Sequence, residues 1–142
     1  MIAPDAGMTD PLRRGMMMAM PQIHPTAHVG DQVTLADDVV IGRHCVLEGE
    51  ITIGAGTRLI GNVYVEGPTT IGCGNTMYPF VCLGFSGQDL KWDHDRPGAG
   101  LTIGDDNTFR ESVTIHRATN DDVPTRVGDR NYWMGGSHAA HD

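Results

Sequence analysis

The chain has 142 residues, with 10 Lys and Arg against 18 Asp and Glu and a formal net charge of −8 at pH 7. That length suits one domain and not comfortably two. The acidic balance excludes nucleic acid or an anionic membrane surface as the main partner, because phosphate recognition needs a cationic footprint. Glycine is abundant at 19 residues, aromatics make up 6 %, and no apolar run approaches the roughly 20 residues of a membrane-spanning helix. A soluble, turn-rich chain without a membrane span is expected. Nine of the ten cationic residues are Arg; Lys91 is the lone lysine.

Residues 1–22 open the chain with Arg13-Arg14 ahead of Met16-Met17-Met18-Ala19-Met20. That apolar stretch is shorter than the roughly 7 to 15 residues of a secretory apolar segment. Residues 1–22 are therefore expected to form a disordered leader, with Met20 an alternative start. Cys45, Cys73 and Cys82 are odd in number and form no C-x-x-C pair, so reduced thiols in a cytoplasmic protein are expected.

From Ile23 every sixth residue is apolar: Ile23, Val29, Leu35, Ile41, Leu47, Ile53, Leu59, Val65, Ile71, Met77 and Leu83. Chance would fill about four or five of these places. Glycine follows at Gly30, Gly42, Gly54, Gly72 and Gly84. A period of six fits neither an amphipathic helix nor a heptad, and the glycine-broken apolar steps predict a hexapeptide β-helix. Each hexad supplies a short strand and a turn, and three hexads close one triangular coil. Stacked coils then carry three internal ladders, namely Ile23, Ile41, Leu59 and Met77; Val29, Leu47, Val65 and Leu83; and Leu35, Ile53 and Ile71. Coils stacked about 4.8 Å apart bond to one another through their backbones, so no large aromatic core is needed.

The register breaks between Leu83 and Ile103, twenty positions apart against eighteen for a full coil, and the turn-rich segment 85–100 is expected to project as a loop. The period resumes at Ile103, Phe109 and Ile115, degenerates at Asp121 and returns at Val127, Trp133 and Ala139. About six coils result, with minimal room for a loop between Ile115 and Val127.

Three segments could carry chemistry. Gln88-Asp89-Leu90-Lys91-Trp92 presents the only lysine beside an acid and an aromatic, although an ordinary solvated loop is the default for such a string. Arg110-Glu111-Ser112-Val113-Thr114-Ile115-His116-Arg117 carries two arginines and a histidine, which on the outside of a prism merely solubilise. His138-Ala139-Ala140-His141-Asp142 sets a histidine beside a carboxylate, which suits a general base because the acid stabilises the imidazolium. The same H-x-x-H could equally be a metal pair.

Taken together, G-x-x-x-QDLK-aromatic, IG-D-x-N-x-x-RESVTIHR-x-T and VGD-x-N-x-x-M-x-x-x-H-x-AHD resemble the acyl-[acyl-carrier-protein]–UDP-N-acetylglucosamine O-acyltransferases of lipid A synthesis. The resemblance runs from about Ile23 to Asp142. It implies an all-β fold, a left-handed parallel β-helix over 23–142, and transfer of a 3-hydroxyacyl chain from acyl carrier protein to the 3-hydroxyl of UDP-N-acetylglucosamine, with no cofactor or metal. It implies His141 as general base, Asp142 as its supporting acid, and His138 and His116 in the same cleft. Asp89 and Lys91 would approach the substrate from an adjacent subunit of a homotrimer. Docking of an acidic carrier protein would call on Arg96, Arg110, Arg117, Arg126 or Arg130.

Members of that family continue through further coils and a helical domain, so the chain is expected to be a truncated portion with impaired activity. Two alternatives share the prism. One is a γ-carbonic-anhydrase-like zinc site using His116, His138 and His141, whose spacing fits poorly. The other is an inactive truncated solenoid.

Overall fold

The computed structural model describes residues 20–142. Most of the expected leader, residues 1–19, lies outside the described residues, and Gln22 already pairs in the first strand. Each hexad yields a strand of two to four residues, since one β-branched or aliphatic side chain enters the interior before the next corner. The first coils comprise β1 (Gln22–Ile23), β2 (His28–Val29), β3 (Val33–Leu35), β4 (Val40–Arg43), β5 (Val46–Glu48), β6 (Ile51–Ile53), β7 (Arg58–Gly61), β8 (Tyr64–Glu66) and β9 (Thr69–Ile71). The later ones comprise β10 (Thr76–Met77), β11 (Cys82–Leu83), β12 (Leu101–Ile103), β13 (Thr108–Phe109), β14 (Thr114–Ile115), β15 (Thr125–Val127), β16 (Tyr132–Trp133) and β17 (His138–Ala139).

Every third strand pairs in parallel with the same face of the next coil. The three sheets run β1-β4-β7-β10-β13-β16, β2-β5-β8-β11-β14-β17 and β3-β6-β9-β12-β15. The architecture is thus a parallel β-helix with between five and six coils among the described residues, left-handed as the resemblance implies. The ladders fall where the period puts them: Ile41 pairs with Leu59 and Leu59 with Met77, Leu47 with Val65 and Val65 with Leu83, and Ile53 with Ile71. Ile41, Leu47, Ile53, Leu59, Ile71, Met77 and Leu83 are almost wholly buried.

Two corrections concern register. Leu83 lies on the second sheet and Ile103 on the third, so a clean repeat would separate them by one hexad. The twenty positions between them therefore contain an insertion of fourteen residues, not a two-residue excess over a coil. Likewise Ile115 and Val127 occupy the second and third sheets, so six residues are inserted there. Asp121 is an exposed residue of a second, short loop and not a degenerate rung.

A second interior column was not anticipated. At the corner before the first sheet, Thr57, Asn75 and Asn107 are buried, at 0 %, 0 % and 1 % exposure. The Oδ1 of Asn75 accepts from the Asn107 backbone N–H at 2.9 Å and from its Nδ2 at 3.1 Å, and Asn107 Oδ1 accepts from the same two groups of Asn131 at 2.9 and 3.0 Å. Nδ2 of Asn75 and of Asn107 also donates to the carbonyls of Gly104 and Gly128, at 2.9 and 2.8 Å. Asparagine serves because one amide both donates and accepts, so a rung satisfies the coils on either side. Where coils come closest only glycine fits, and a Cβ on Gly42 would collide with the carbonyl oxygen of Ile60. Trp133, large for an interior place, stacks on Phe109 with ring centroids 6.2 Å apart. The three cysteines are free thiols, with Cys45 buried.

Candidate active site

The insertion after β11 and the short loop after β14 leave the same sheet on successive coils, so they fold against each other. Ala99 N–H donates to the Asn120 carbonyl at 2.7 Å, and the N–H groups of Ala118 and Thr125 donate to the Gly100 carbonyl, each at 3.1 Å. Under this lid the chain leaving β17 brings His141 and Asp142 against Thr119.

His141 and Asp142 form a hydrogen-bonded pair, with Nδ1 to Oδ2 at 2.9 Å. A carboxylate only accepts, so Nδ1 carries the proton and Nε2 keeps its lone pair as the basic atom. Asp142 is itself fixed. The Thr119 N–H donates to Oδ1 at 2.9 Å, the Thr119 hydroxyl to Oδ2 at 2.8 Å, and Asn120 Nδ2 to Oδ1 at 2.7 Å. The backbone N–H of Asp142 donates to the Thr125 hydroxyl at 2.9 Å, holding the residue at φ 61°. Burial pushes the Asp142 carboxyl up, but the hydrogen bonds from His141, Thr119 and Asn120 prevail and keep it below the usual carboxylate value.

His138 and His116 stand beside this pair. Thr114 Oγ1 and His138 Nδ1 are 2.7 Å apart, and the His138 and His116 rings meet edge to face with centroids 4.9 Å apart. His116 is only 8 % exposed and its Nδ1 has no hydrogen-bond partner. Burial foremost, then the charges of His138 and His141, pushes the His116 pKa down. It is therefore a neutral imidazole near pH 7.

Four of the six expected site residues thus converge: His116, His138, His141 and Asp142. Asp89 and Lys91 do not join them within this chain. They sit near the tip of the projecting loop in a tight turn, Lys91 N–H donating to Asp89 Oδ1 at 2.9 Å, beside a Leu90 that is 94 % exposed. Among the described residues, no group of three or more His, Cys, Asp and Glu side chains is placed to hold a metal ion. Thr119, Asn120 and Thr125 were given no role from the sequence. Only Thr119 had a signal, as the last residue of the RESVTIHR-x-T string.

Of the arginines expected to dock a carrier protein, Arg117 does not reach the surface. It is 4 % exposed, and its Nη1 and Nη2 are taken up by internal acceptors while the buried Nε has no hydrogen-bond partner. Arg96 pairs with Asp121 and lies 4.6 Å over the Trp92 ring. Arg110 bonds Glu111 and the Tyr132 hydroxyl. Arg126 and Arg130 are exposed.

No protein-family model matches the chain. Curated relatives do: an acyl-[acyl-carrier-protein]–UDP-N-acetylglucosamine O-acyltransferase of Thermodesulfovibrio yellowstonii is 44 % identical over 124 residues, 87 % of this chain and 47 % of that protein. The same enzyme of Syntrophobacter fumaroxidans is 44 % identical over 122 residues, 85 % of this chain and 46 % of that one. The chain is a homologue of these acyltransferases. It spans about half the length of the curated relatives it matches. Solved structures agree. UDP-N-acetylglucosamine O-acyltransferase of Moraxella catarrhalis superposes with a TM-score of 0.80 at 40 % identity, covering 84 % of this chain and 46 % of that one. The Francisella novicida enzyme gives 0.81 at 31 % identity, covering 85 % and 44 %. Nothing in the comparisons or in the donor geometry favours the zinc reading.

Proposed function

We propose that this chain carries the acyl-transfer centre of a UDP-N-acetylglucosamine O-acyltransferase, with His141 as general base. The observation that supports this most is the His141–Asp142 pair, whose carboxylate is itself held by Thr119 and Asn120. The ionised Asp142 fixes the imidazole tautomer and stabilises the cation formed when Nε2 takes a proton. In the reaction, Nε2 removes the proton of the sugar 3-hydroxyl while that oxygen attacks the thioester carbonyl of a 3-hydroxyacyl carrier protein. The new C–O ester bond forms, the C–S bond breaks, and the imidazolium returns its proton to the departing thiolate. Neutral His116 and the Thr114-anchored His138 flank the path and are assigned to substrate contact. Asp89 and Lys91 are assigned to substrate in a neighbouring prism of a homotrimer, which suits their position at a projecting tip. A cytoplasmic setting accords with carrier-protein chemistry, and no helix among the described residues is long and apolar enough to cross a membrane.

The test is a direct acyl-transfer assay with UDP-N-acetylglucosamine and 3-hydroxyacyl carrier protein. His141→Ala should reduce turnover by roughly 100-fold or more while the far-UV spectrum is kept. Equal turnover in wild type and variant would remove His141 from the role.

A further inference from the structure

Arg117 follows His116 in the strand-exit segment, yet its guanidinium turns away from the histidines into the base of the projecting loop. Nη1 donates to Glu66 Oε1 at 2.7 Å and to the Gly84 carbonyl at 3.1 Å, with the Gly67 carbonyl at 3.5 Å. Nη2 donates to the carbonyls of His94 and Arg96, at 3.3 and 3.4 Å. Its backbone N–H adds a bond to the Phe85 carbonyl at 3.0 Å. Gly84 and Phe85 start the loop and His94 and Arg96 lie on its return arm, while Glu66 and Gly67 belong to the coil beneath. One buried cation therefore ties both arms of the loop to the prism.

We infer that Arg117 is a positioning residue that latches the loop 85–100 in the pose that presents Asp89 and Lys91. This rests on the acyl-transfer reading for its catalytic consequence, though not for the latch itself. A planar guanidinium reaches several carbonyls and a carboxylate at once, whereas a lysine ammonium is a point charge that cannot span both arms. The loop has no strand of its own, and its other hydrogen bonds to the short second loop, Arg96 to Asp121, Ala99 to Asn120 and the Gly100 carbonyl to the N–H groups of Ala118 and Thr125, lie near its end. Freeing the base would let the tip wander. The His141–Asp142 pair keeps its own supports, none of which involves Arg117.

The experiment compares wild type with Arg117→Lys, and with Glu66→Gln, which keeps the guanidinium and its carbonyl acceptors but removes the charge partner. Amide hydrogen exchange reads the latch without any need for turnover. Protection over residues 86–97 should fall about tenfold or more in Arg117→Lys and less in Glu66→Gln, while protection in β4 to β9 stays as in wild type. In the acyl-transfer assay KM for UDP-N-acetylglucosamine should rise about tenfold in Arg117→Lys, with kcat changed less than about threefold. Should Arg117→Lys fail to fold, Glu66→Gln carries the same two measurements. Unchanged loop protection would overturn the latch. Loosened protection with unchanged KM, or with an equal fall in kcat, would overturn its role in presenting the tip. Absence of turnover in wild type would refute the acyl-transfer reading and leave the exchange result to judge the latch.

Discussion

The asparagine column gives the sharpest test of what holds the coils in register. Asn107 is its central rung, 1 % exposed, and its side chain makes four hydrogen bonds: to Asn75 Oδ1 and the Gly128 carbonyl, and from both the N–H and Nδ2 of Asn131. In Asn107→Ala, Asn75 Oδ1 keeps its backbone donor, the half-open Asn131 side is partly rescued by water, and the Gly128 carbonyl loses its side-chain partner. With roughly 1 kcal/mol net per bond and an added penalty for what stays unpaired, the loss should be about 2–4 kcal/mol. That is a large part of the roughly 5–15 kcal/mol that stabilises a typical domain. Asn107→Asp keeps the shape but faces Asn75 Oδ1 and the Gly128 carbonyl with a carboxylate, acceptor against acceptor. It should cost more at pH 7 and recover as the pH falls, because protonation restores a donor. Guanidinium unfolding at fixed protein concentration, followed by far-UV circular dichroism, measures all three proteins. A loss below about 1 kcal/mol in Asn107→Ala, or an Asn107→Asp variant matching wild type at pH 7, would refute the reasoning.

Other expectations follow from the site and the core. Asp142→Asn should lower kcat by roughly 10²–10⁴-fold, with a smaller change in KM, since it removes the ion that stabilises the imidazolium; steady-state kinetics at saturating acceptor check this, and an unchanged kcat would exclude Asp142 from catalysis. His116 has a lowered pKa in the folded chain, so below the ordinary value of 6.5 the unfolded chain takes up the proton first. Stability should therefore decline as the pH drops from about 6.5 through the lower folded value, and His116→Gln should flatten that part of a melting-temperature profile. Phe109 is wholly buried and stacks on Trp133, so Phe109→Ala should cost about 3–5 kcal/mol in chemical unfolding.

The sequence by itself determined the repeat and therefore the prism. A side chain enters the interior once per hexad, and a single backbone slip would expose the ladder, so the period of six is written directly into the apolar residues from Ile23 to Leu83. His116, His138, His141 and Asp142 came from the resemblance of their strings to the acyltransferases and not from the period; the structure brings the two strings together by pairing β14 with β17 one coil apart on the same sheet. Folding decided what depends on groups far apart in the chain. Asn75, Asn107 and Asn131 carry no individual signal in the sequence, and only the stacking of coils links their amides into one column. Thr119 and Thr125 become the supports of Asp142 only when the short loop closes on the last strand. The size of the two insertions could be counted only once Leu83 and Ile103, and Ile115 and Val127, were known to lie on different sheets. Arg117 looked like surface charge because sequence reports a residue's chemistry and not its depth; its acceptors come from three separate stretches of chain that only the coiled backbone brings within reach of one guanidinium.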